Sequence, residues 1–385
     1  MIPYSRQSVD KKDIASVVKI LKSNFLTQGP KVEEFEKNIS NLCRSKYVVA
    51  SNSATSSLHI ACLALNLKSK DIVWTVPNTF VASANCAINC GAEVDFVDID
   101  AKTFNICISS LEKKLIDAKK KGKLPKILIP VHFAGQPTNQ KKIWQLSKKY
   151  KFKIIEDASH SIGASFEDEP VGSCKWSDIT VFSFHPVKII TTAEGGLATT
   201  NQSELAKRMQ LLRTHGITRD QSLMTKESGG GWCYEQVDLG FNYRMTDLQA
   251  ALGISQMKRL DEFVAQRHVI QERYDQLLSE LPVLVPHQSH FSYSALHLYP
   301  IQIDASKTKK DRAKMFDVLR EKNIGVNVHY IPVHTQPYYR EMGFKPGDFP
   351  VSEFYYSRAI SLPMFPSLSS DYQDIVILAL EEAFR

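Results

Sequence analysis

The sequence predicts an α/β fold, with a mostly parallel sheet covered by helices in a large first domain and a smaller α+β domain after it. Three observations carry this expectation. Between residues 45 and 200 short apolar runs alternate with longer amphipathic ones, the rhythm of strands and crossover helices. Near Met245 that rhythm gives way to a long helical stretch reaching Leu281. Beyond it a strand-like run, a helix and another extended run restore a mixed pattern. The expected division is therefore 1–245 and 246–385.

In order, residues 47–50 (Tyr-Val-Val-Ala) read as a strand and 54–67 as a helix. Strand 72–75, helix 79–89, strand 94–97 and a helix from about 109 to 120 follow. Strand-like 127–131, helix 140–149 and strand 153–156 continue the alternation. Residues 180–184 read as a strand, and Gly195-Gly196 opens the next one. In the later region Leu248, Leu252, Met257 and Leu260 recur at roughly helical spacing, until Leu281-Pro-Val-Leu-Val-Pro286 interrupts the pattern. Segments 297–303, 309–322 and 325–330 then read as strand, helix and extended chain. In parallel sheets of this kind ligands sit beyond the carboxyl ends of the strands.

At 385 residues, with 43% hydrophobic and 23% charged residues, the chain can bury a sizeable core. No apolar run approaches the roughly 20 residues that span a bilayer, and Met1-Ile-Pro-Tyr-Ser-Arg lacks a secretory pattern. The expectation is a soluble, cytoplasmic protein with no membrane partner. The seven cysteines form no CxxC pair and no zinc-spaced cluster, so neither a metal nor disulfides are expected. The formal charge of +7 is scattered apart from Lys119-Lys120-Lys121-Gly122-Lys123, a run that suits a solvated helix C-terminus. Nucleic acid is not expected; small anionic ligands are.

Four segments carry chemistry. Lys188, in Ser183-Phe-His-Pro-Val-Lys188-Ile-Ile-Thr-Thr-Ala-Glu-Gly-Gly196, follows a strand and can enter a cleft. Desolvation there lowers a lysine pKa and frees the neutral amine for Schiff-base formation. Alone, such a lysine is an ordinary surface residue. Asp157, in Glu156-Asp157-Ala-Ser-His160, ends an apolar strand. A carboxylate so placed can hold a pyridine nitrogen protonated; the same residue can also simply begin a turn. His160 can hydrogen-bond a ring oxygen, or be a satisfied structural histidine. Asn52-Ser-Ala-Thr-Ser56 joins a strand to a helix, where free N–H groups attract a phosphate, although Ser/Thr caps are common. An amine, a pyridinium partner and a phosphate cradle together describe a site for pyridoxal 5′-phosphate (PLP).

In this order, Asn52-Ser-Ala-Thr, Glu156-Asp157-Ala-Ser-His, Ser183-Phe-His-Pro-Val-Lys188 and Ala193-Glu-Gly-Gly196 resemble the DegT/DnrJ/EryC1/StrS sugar aminotransferases. The resemblance runs from about Tyr4 to the C-terminus. It implies the fold type I, aspartate-aminotransferase-like architecture, with the larger domain binding PLP. Within the family, the Phe-His-Pro-Val-Lys…Thr-Thr-Ala-Glu-Gly-Gly version is most similar to the branch making UDP-4-amino-4,6-dideoxy-N-acetyl-β-L-altrosamine for pseudaminic acid.

The resemblance also implies roles. Phe80 would stack on the pyridine ring, and Ser183 would donate to the phosphate with Ala54 and Thr55. Asn242, in Gly240-Phe-Asn-Tyr-Arg-Met, would reach the site of a neighbouring subunit, giving a homodimer with shared active sites. Tyr4, Asn24, Phe25, Leu26, Thr27, Ala54, Ser183, Asn242, His329, Tyr330, Ile331 and Pro332 would contact a UDP-sugar. Catalysis would fall to Lys188, Asp157 and His160. Lys188 would carry PLP and move protons, with L-glutamate becoming 2-oxoglutarate and a UDP-linked 4-keto sugar receiving the amine at C4. Another UDP-4-amino-sugar product is an alternative, as is a catalytically silent regulatory protein of the same fold. Family dehydratases that remove a 3-hydroxyl carry His in place of the lysine, which disfavours that activity here.

Overall fold

The computed structural model describes residues 1–225 and 229–385. Two helices that the apolar rhythm did not single out, α1 (Lys11–Leu21) and α2 (Pro30–Cys43), precede the sheet. Strands β1 (Tyr47–Ser51), β2 (Ile72–Thr75), β3 (Glu93–Phe96), β4 (Ile127–Leu128) and β5 (Lys153–Asp157) then alternate with helices α3 (Ala54–Ala64), α4 (Ala82–Asn89), α5 (Ile108–Lys120) and α6 (Gln140–Tyr150). After an outlying hairpin, β6 (Ser165–Phe166) and β7 (Glu169–Pro170), come β8 (Ile179–Ser183), β9 (Gly196–Thr200) and α7 (Ser203–Leu212). The seven-stranded sheet runs β1-β9-β8-β5-β4-β2-β3. Its ladders are parallel except at β9, which is antiparallel to both neighbours. This is the mostly parallel sheet the sequence predicts.

Local chemistry explains where elements stop short of their predicted bounds. The helix expected over 54–67 ends at Ala64 because Asn66 turns left-handed at φ 57°. The strand expected over 127–131 keeps only Ile127–Leu128 in its ladder, since Pro130 has no N–H to give. The long helix expected from 245 to 281 is broken into α8 (Asp247–Met257) and α9 (Leu260–Leu277). Neither glycine nor proline causes the break. Arg259, at φ −115° and ψ 10°, turns its guanidinium onto Asp13 (2.5 Å) and the Ser8 carbonyl (2.9 Å).

Short strands β10 (Ile217–Thr218) and β11 (Glu235–Gln236) pair with each other. The C-terminal part builds a second sheet, ordered β12-β14-β15, from β12 (Val283–Leu284), β14 (Tyr299–Ile303) and β15 (Ala359–Leu362); β13 (Ser292–Tyr293) pairs with β6 instead. Helices α10 (Arg312–Glu321), α11 (Pro337–Glu341), α12 (Pro350–Tyr356) and α13 (Ser370–Phe384) complete it. Residues 325–330 form no strand beyond an isolated Asn327–Ser361 bridge.

Helix α9 belongs to two cores. Leu260, Phe263 and Val264 pack with Phe35, Phe182 and Phe184 under the large sheet, whereas Ile270 and Tyr274 join Tyr299, Ile301, Leu319 and Leu380. Between them Arg267 is fully buried and donates to the carbonyls of Leu296, His297 and Met364, each at 3.1 Å. No described helix is long and apolar enough to cross a membrane.

Candidate active site

A cavity of about 620 Å³ opens beyond the carboxyl ends of β5 and β8. Strand alternation decides which of two adjacent carboxylates reaches it. Glu156 turns to the opposite face, where it accepts from Thr180 (2.7 Å), Ser177 (3.1 Å) and Gln140. Burial raises its pKa, but hydrogen bonding and the charge of His132 outweigh that and leave the carboxyl below its usual range. Asp157 turns into the cavity. Its Oδ2 accepts from the Ser83 hydroxyl at 2.6 Å, and its Oδ1 accepts from the Ser159 hydroxyl at 2.6 Å and the Ser159 N–H at 3.1 Å. These donors fix the orientation of the carboxylate.

Lys188 lines the same cavity, in the loop that returns from β8 to β9. Burial pushes its amine down to about 8, with Asp157 pulling the other way. Three histidines stand around it. His160, His297 and His329 are 4%, 2% and 7% exposed, and all three are held below the usual imidazole range by burial and then by charges that include Lys188; His329 falls to about 3. The imidazoles are therefore neutral near pH 7. The His160 Nε2 pairs with the Tyr330 hydroxyl at 3.1 Å, and the His329 Nδ1 with Ser361 at 2.8 Å. The Nδ1 atoms of His160 and His297 have no partner among the described residues. His297 lies 4.4 Å from His160, ring to ring, and was not foreseen. In His297-Leu-Tyr-Pro it reads as the polar member of an apolar strand, and only its burial without a partner marks it.

The opposite wall is the start of α3. Ser53 caps the helix by accepting from the Ser56 N–H at 3.1 Å, while the N–H groups of Ala54 and Thr55, two residues that line the cavity, have no acceptor among the described residues. Gly196 lets β9 pass close beneath. A Cβ there would lie 2.3 Å from the Ala54 nitrogen. Ser183 completes this end of the cavity, and Phe80, 60% exposed, stands at its mouth.

Of the foreseen residues, Tyr4, Ala54, Thr55, Phe80, Asp157, His160, Ser183, Lys188, His329, Tyr330 and Ile331 line the one cavity. Asn24, Phe25, Leu26, Thr27, Asn242 and Pro332 do not. Residues 24–27 lie against the start of α8, where the Thr27 carbonyl accepts from the Asp247 N–H at 3.2 Å. Asn242 is exposed beside Asn52, whose amide donates to its carbonyl at 3.4 Å. Tyr330 is tied to His160 and, through its N–H, to Asn78 at 3.1 Å, so it orients the wall as well as lining it.

The set fits PLP. The cradle beside Gly196 has the unpaired donors and the clearance that a phosphate needs. A carboxylate fixed in the cavity wall could hold a pyridinium, and an amine of depressed pKa could capture a carbonyl. Among the described residues no group of His, Cys, Asp or Glu could hold a metal ion.

Comparison with known proteins agrees. The chain is 38% identical over 343 residues to the UDP-4-amino-4,6-dideoxy-N-acetyl-β-L-altrosamine transaminase of Campylobacter jejuni, covering 89% of this chain and 87% of that one. PseC of Helicobacter pylori, an aminotransferase of pseudaminic acid biosynthesis, superposes with a TM-score of 0.89 at 29% identity, over 100% of this chain and 99% of that one. Spr1654 of Streptococcus pneumoniae, solved in its PMP form, superposes with a TM-score of 0.90 at 28% identity, over 100% and 99%. With residues 7–381 matched by the family's sequence model, this chain belongs to the DegT/DnrJ/EryC1/StrS aminotransferase family and is a PLP-dependent sugar aminotransferase.

Proposed function

We propose that the protein moves the amino group of L-glutamate to C4 of a UDP-linked 4-keto-6-deoxy-N-acetyl hexose, giving UDP-4-amino-4,6-dideoxy-N-acetyl-β-L-altrosamine in pseudaminic acid biosynthesis, in the cytoplasm. One observation carries the chemistry: Lys188, Asp157 and the first residues of α3, Ala54 and Thr55, line a single cavity. The product follows the Campylobacter relative and the Helicobacter structure.

PLP supplies a sink for the electron pair left when a carbon–hydrogen bond is broken. Lys188 would hold it at its carbonyl carbon through Nζ, and the Lys188 amine would take a proton from the α-carbon of the amino donor. In the second half-reaction the same amine would give a proton to C4 of the sugar. An amine near 8 can both accept and give a proton at neutral pH. Asp157 would hold the pyridine nitrogen protonated, and Ala54, Thr55 and Ser183 would hold the phosphate. Phe80 would pack on the ring. His160, neutral and with Nδ1 free, would supply a hydrogen bond to the ring oxygen. Tyr4, His329, Tyr330 and Ile331 receive the sugar.

Asn242 and residues 24–27 act in the cavity of a second copy, so the working unit is a homodimer with shared sites. Their absence from this chain's own cavity supports that reading. So do the uncovered Phe25 and Leu26, 54% and 45% exposed on the first segment, and Leu239, 72% exposed three residues before Asn242.

The test is product identification. The protein, L-glutamate and a panel of UDP-4-keto-6-deoxy sugars are incubated, and the nucleotide products are resolved by mass and NMR. A 4-amino altrosamine product is expected, with 2-oxoglutarate formed in equal amount. Amination of none of the panel would end the proposal.

A further inference from the structure

All seven cysteines are free thiols, and three of them meet between α3 and α4. Their spacing in the sequence brings them together. His59 and Cys62 stand three residues apart on α3, while Cys86 and Cys90 stand four apart at the end of α4, so each pair shares one helix face. Both helices are rich in Ser, Ala and Cys, which lets them pack closely. Cys62 and Cys86 lie in the shared core and Cys90 packs against it, with the Cys62 thiol interacting with both of the others.

The three thiols are not equivalent. Cys62 and Cys86 are buried, and the Cys86 Sγ donates to the Ser83 carbonyl at 3.4 Å. Cys90 is only partly buried, so a small molecule can reach it from solvent. It also has a histidine neighbour in His59. The His59 Nδ1 pairs with the Tyr243 hydroxyl at 3.1 Å and the ring packs 4.8 Å from that of Phe241, which fixes the imidazole. A cysteine beside a histidine that a third group orients has the arrangement of an activated nucleophile. The electrostatics agree. Cys62, and after it His59, hold the Cys90 thiol below its usual range although burial opposes them, whereas Cys86, Cys90 and burial hold Cys62 well above. Thiolate character therefore gathers on the member that solvent can reach. Cys43 and Cys174 are also neighbours, but both are buried and burial raises both, which leaves them inert.

We propose that Cys90 is an oxidant-reactive thiol and Cys62 its resolving partner, the two closing to a Cys62–Cys90 disulfide when a hydroperoxide reaches the protein. The Cys90 sulfur attacks the O–O bond of hydrogen peroxide and keeps one oxygen as a sulfenic acid, while the other leaves as water. The Cys62 sulfur then attacks the Cys90 sulfur. The S–S bond forms, the S–O bond breaks, and the hydroxyl leaves with the Cys62 proton as a second water. The two thiols have lost two hydrogens and the peroxide has been reduced. Reversible crosslinks of this kind are the ones a reducing compartment permits. The bond would tie α3, whose first turn lines the cofactor cavity, to α4, whose Ser83 anchors Asp157.

The test treats the PLP-loaded protein with hydrogen peroxide, blocks remaining thiols with iodoacetamide and maps the peptides without reduction, assigning each crosslink by fragmentation. A Cys62–Cys90 crosslink that dithiothreitol reverses is expected. Cys86→Ser should retain it. Cys62→Ser should stop the chemistry at the sulfenic acid, which dimedone traps on Cys90. Without peroxide, alkylation of Cys90 should rise with a midpoint below the ordinary thiol value of about 8.5, and His59→Gln should slow it about tenfold at pH 7. A Cys90 that stays reduced and unalkylated while Cys233 reacts would overturn the assignment, as would a disulfide made through Cys86. Both outcomes are read on the unsubstituted protein, so a variant that fails to fold leaves the decision intact.

Discussion

Burial of the Lys188 amine sets a pH window that can be measured. Its pKa lies near 8 in the fold and near 10.4 in an unfolded chain. Below about 8 the folded protein holds a buried cation, and above it the nucleophilic neutral amine. Capture of PLP by the cofactor-free protein, followed as growth of the visible band, is therefore expected to accelerate as pH rises through about 8. A midpoint near 10 would show that the amine is solvated. Lys188→Ala should still bind PLP through the cradle and Asp157, yet lose turnover by about 10³-fold or more. Turnover near the unsubstituted rate would remove Lys188 from the proton transfers. Asp157→Asn keeps the hydroxyl neighbours but loses the charge. A fall in kcat of about 10²-fold is expected from steady-state rates, with the thermal midpoint changed little. Lys188 and Asp157 were legible because one follows a strand, the other ends one, and each sits in a motif. Ser83, which anchors Asp157, and His297 were not: each looks like ordinary helix or strand filling, and only folding brings it to the cavity.

Among the elements, the junction of β9 with α3 is the tightest. Gly196→Ala would drive a methyl group into the Ala54 nitrogen, which must then move away from the position it takes in the phosphate cradle. The expected result is a loss of about 1–3 kcal/mol in unfolding free energy, with weaker PLP retention on dialysis. Retention equal to that of the unsubstituted protein would show that the cradle tolerates the shift. Strand-and-helix alternation was readable because a buried parallel sheet needs continuous apolar runs. The break between α8 and α9 was not, because its cause is a guanidinium reaching back to Asp13, more than two hundred positions away in the chain. The segment of residues 24–27 could be named only by resemblance, because no local pattern in it points to a ligand.

For the whole molecule, the proposed sharing of sites between two copies would make two damaged chains complementary. Lys188→Ala and Asn242→Ala proteins, unfolded and refolded together, should recover activity that neither has alone, while sedimentation should show a dimer. Recovery no greater than the sum of the separate proteins would place Asn242 outside the partner's site. Composition and rhythm announced two regions, but they could not show that one helix would enter both hydrophobic cores.

That helix has a mechanical consequence. With Val264 seated in one core, Ile270 in the other and the Arg267 guanidinium clamped to three carbonyls between them, α9 acts as a splint across the molecule. The two halves cannot swing like jaws without bending it. Accommodation of a bulky substrate then falls to cavity-lining segments outside α9, such as the stretch around Tyr4, whose Ser5 hydroxyl donates to the Val187 carbonyl at 3.1 Å.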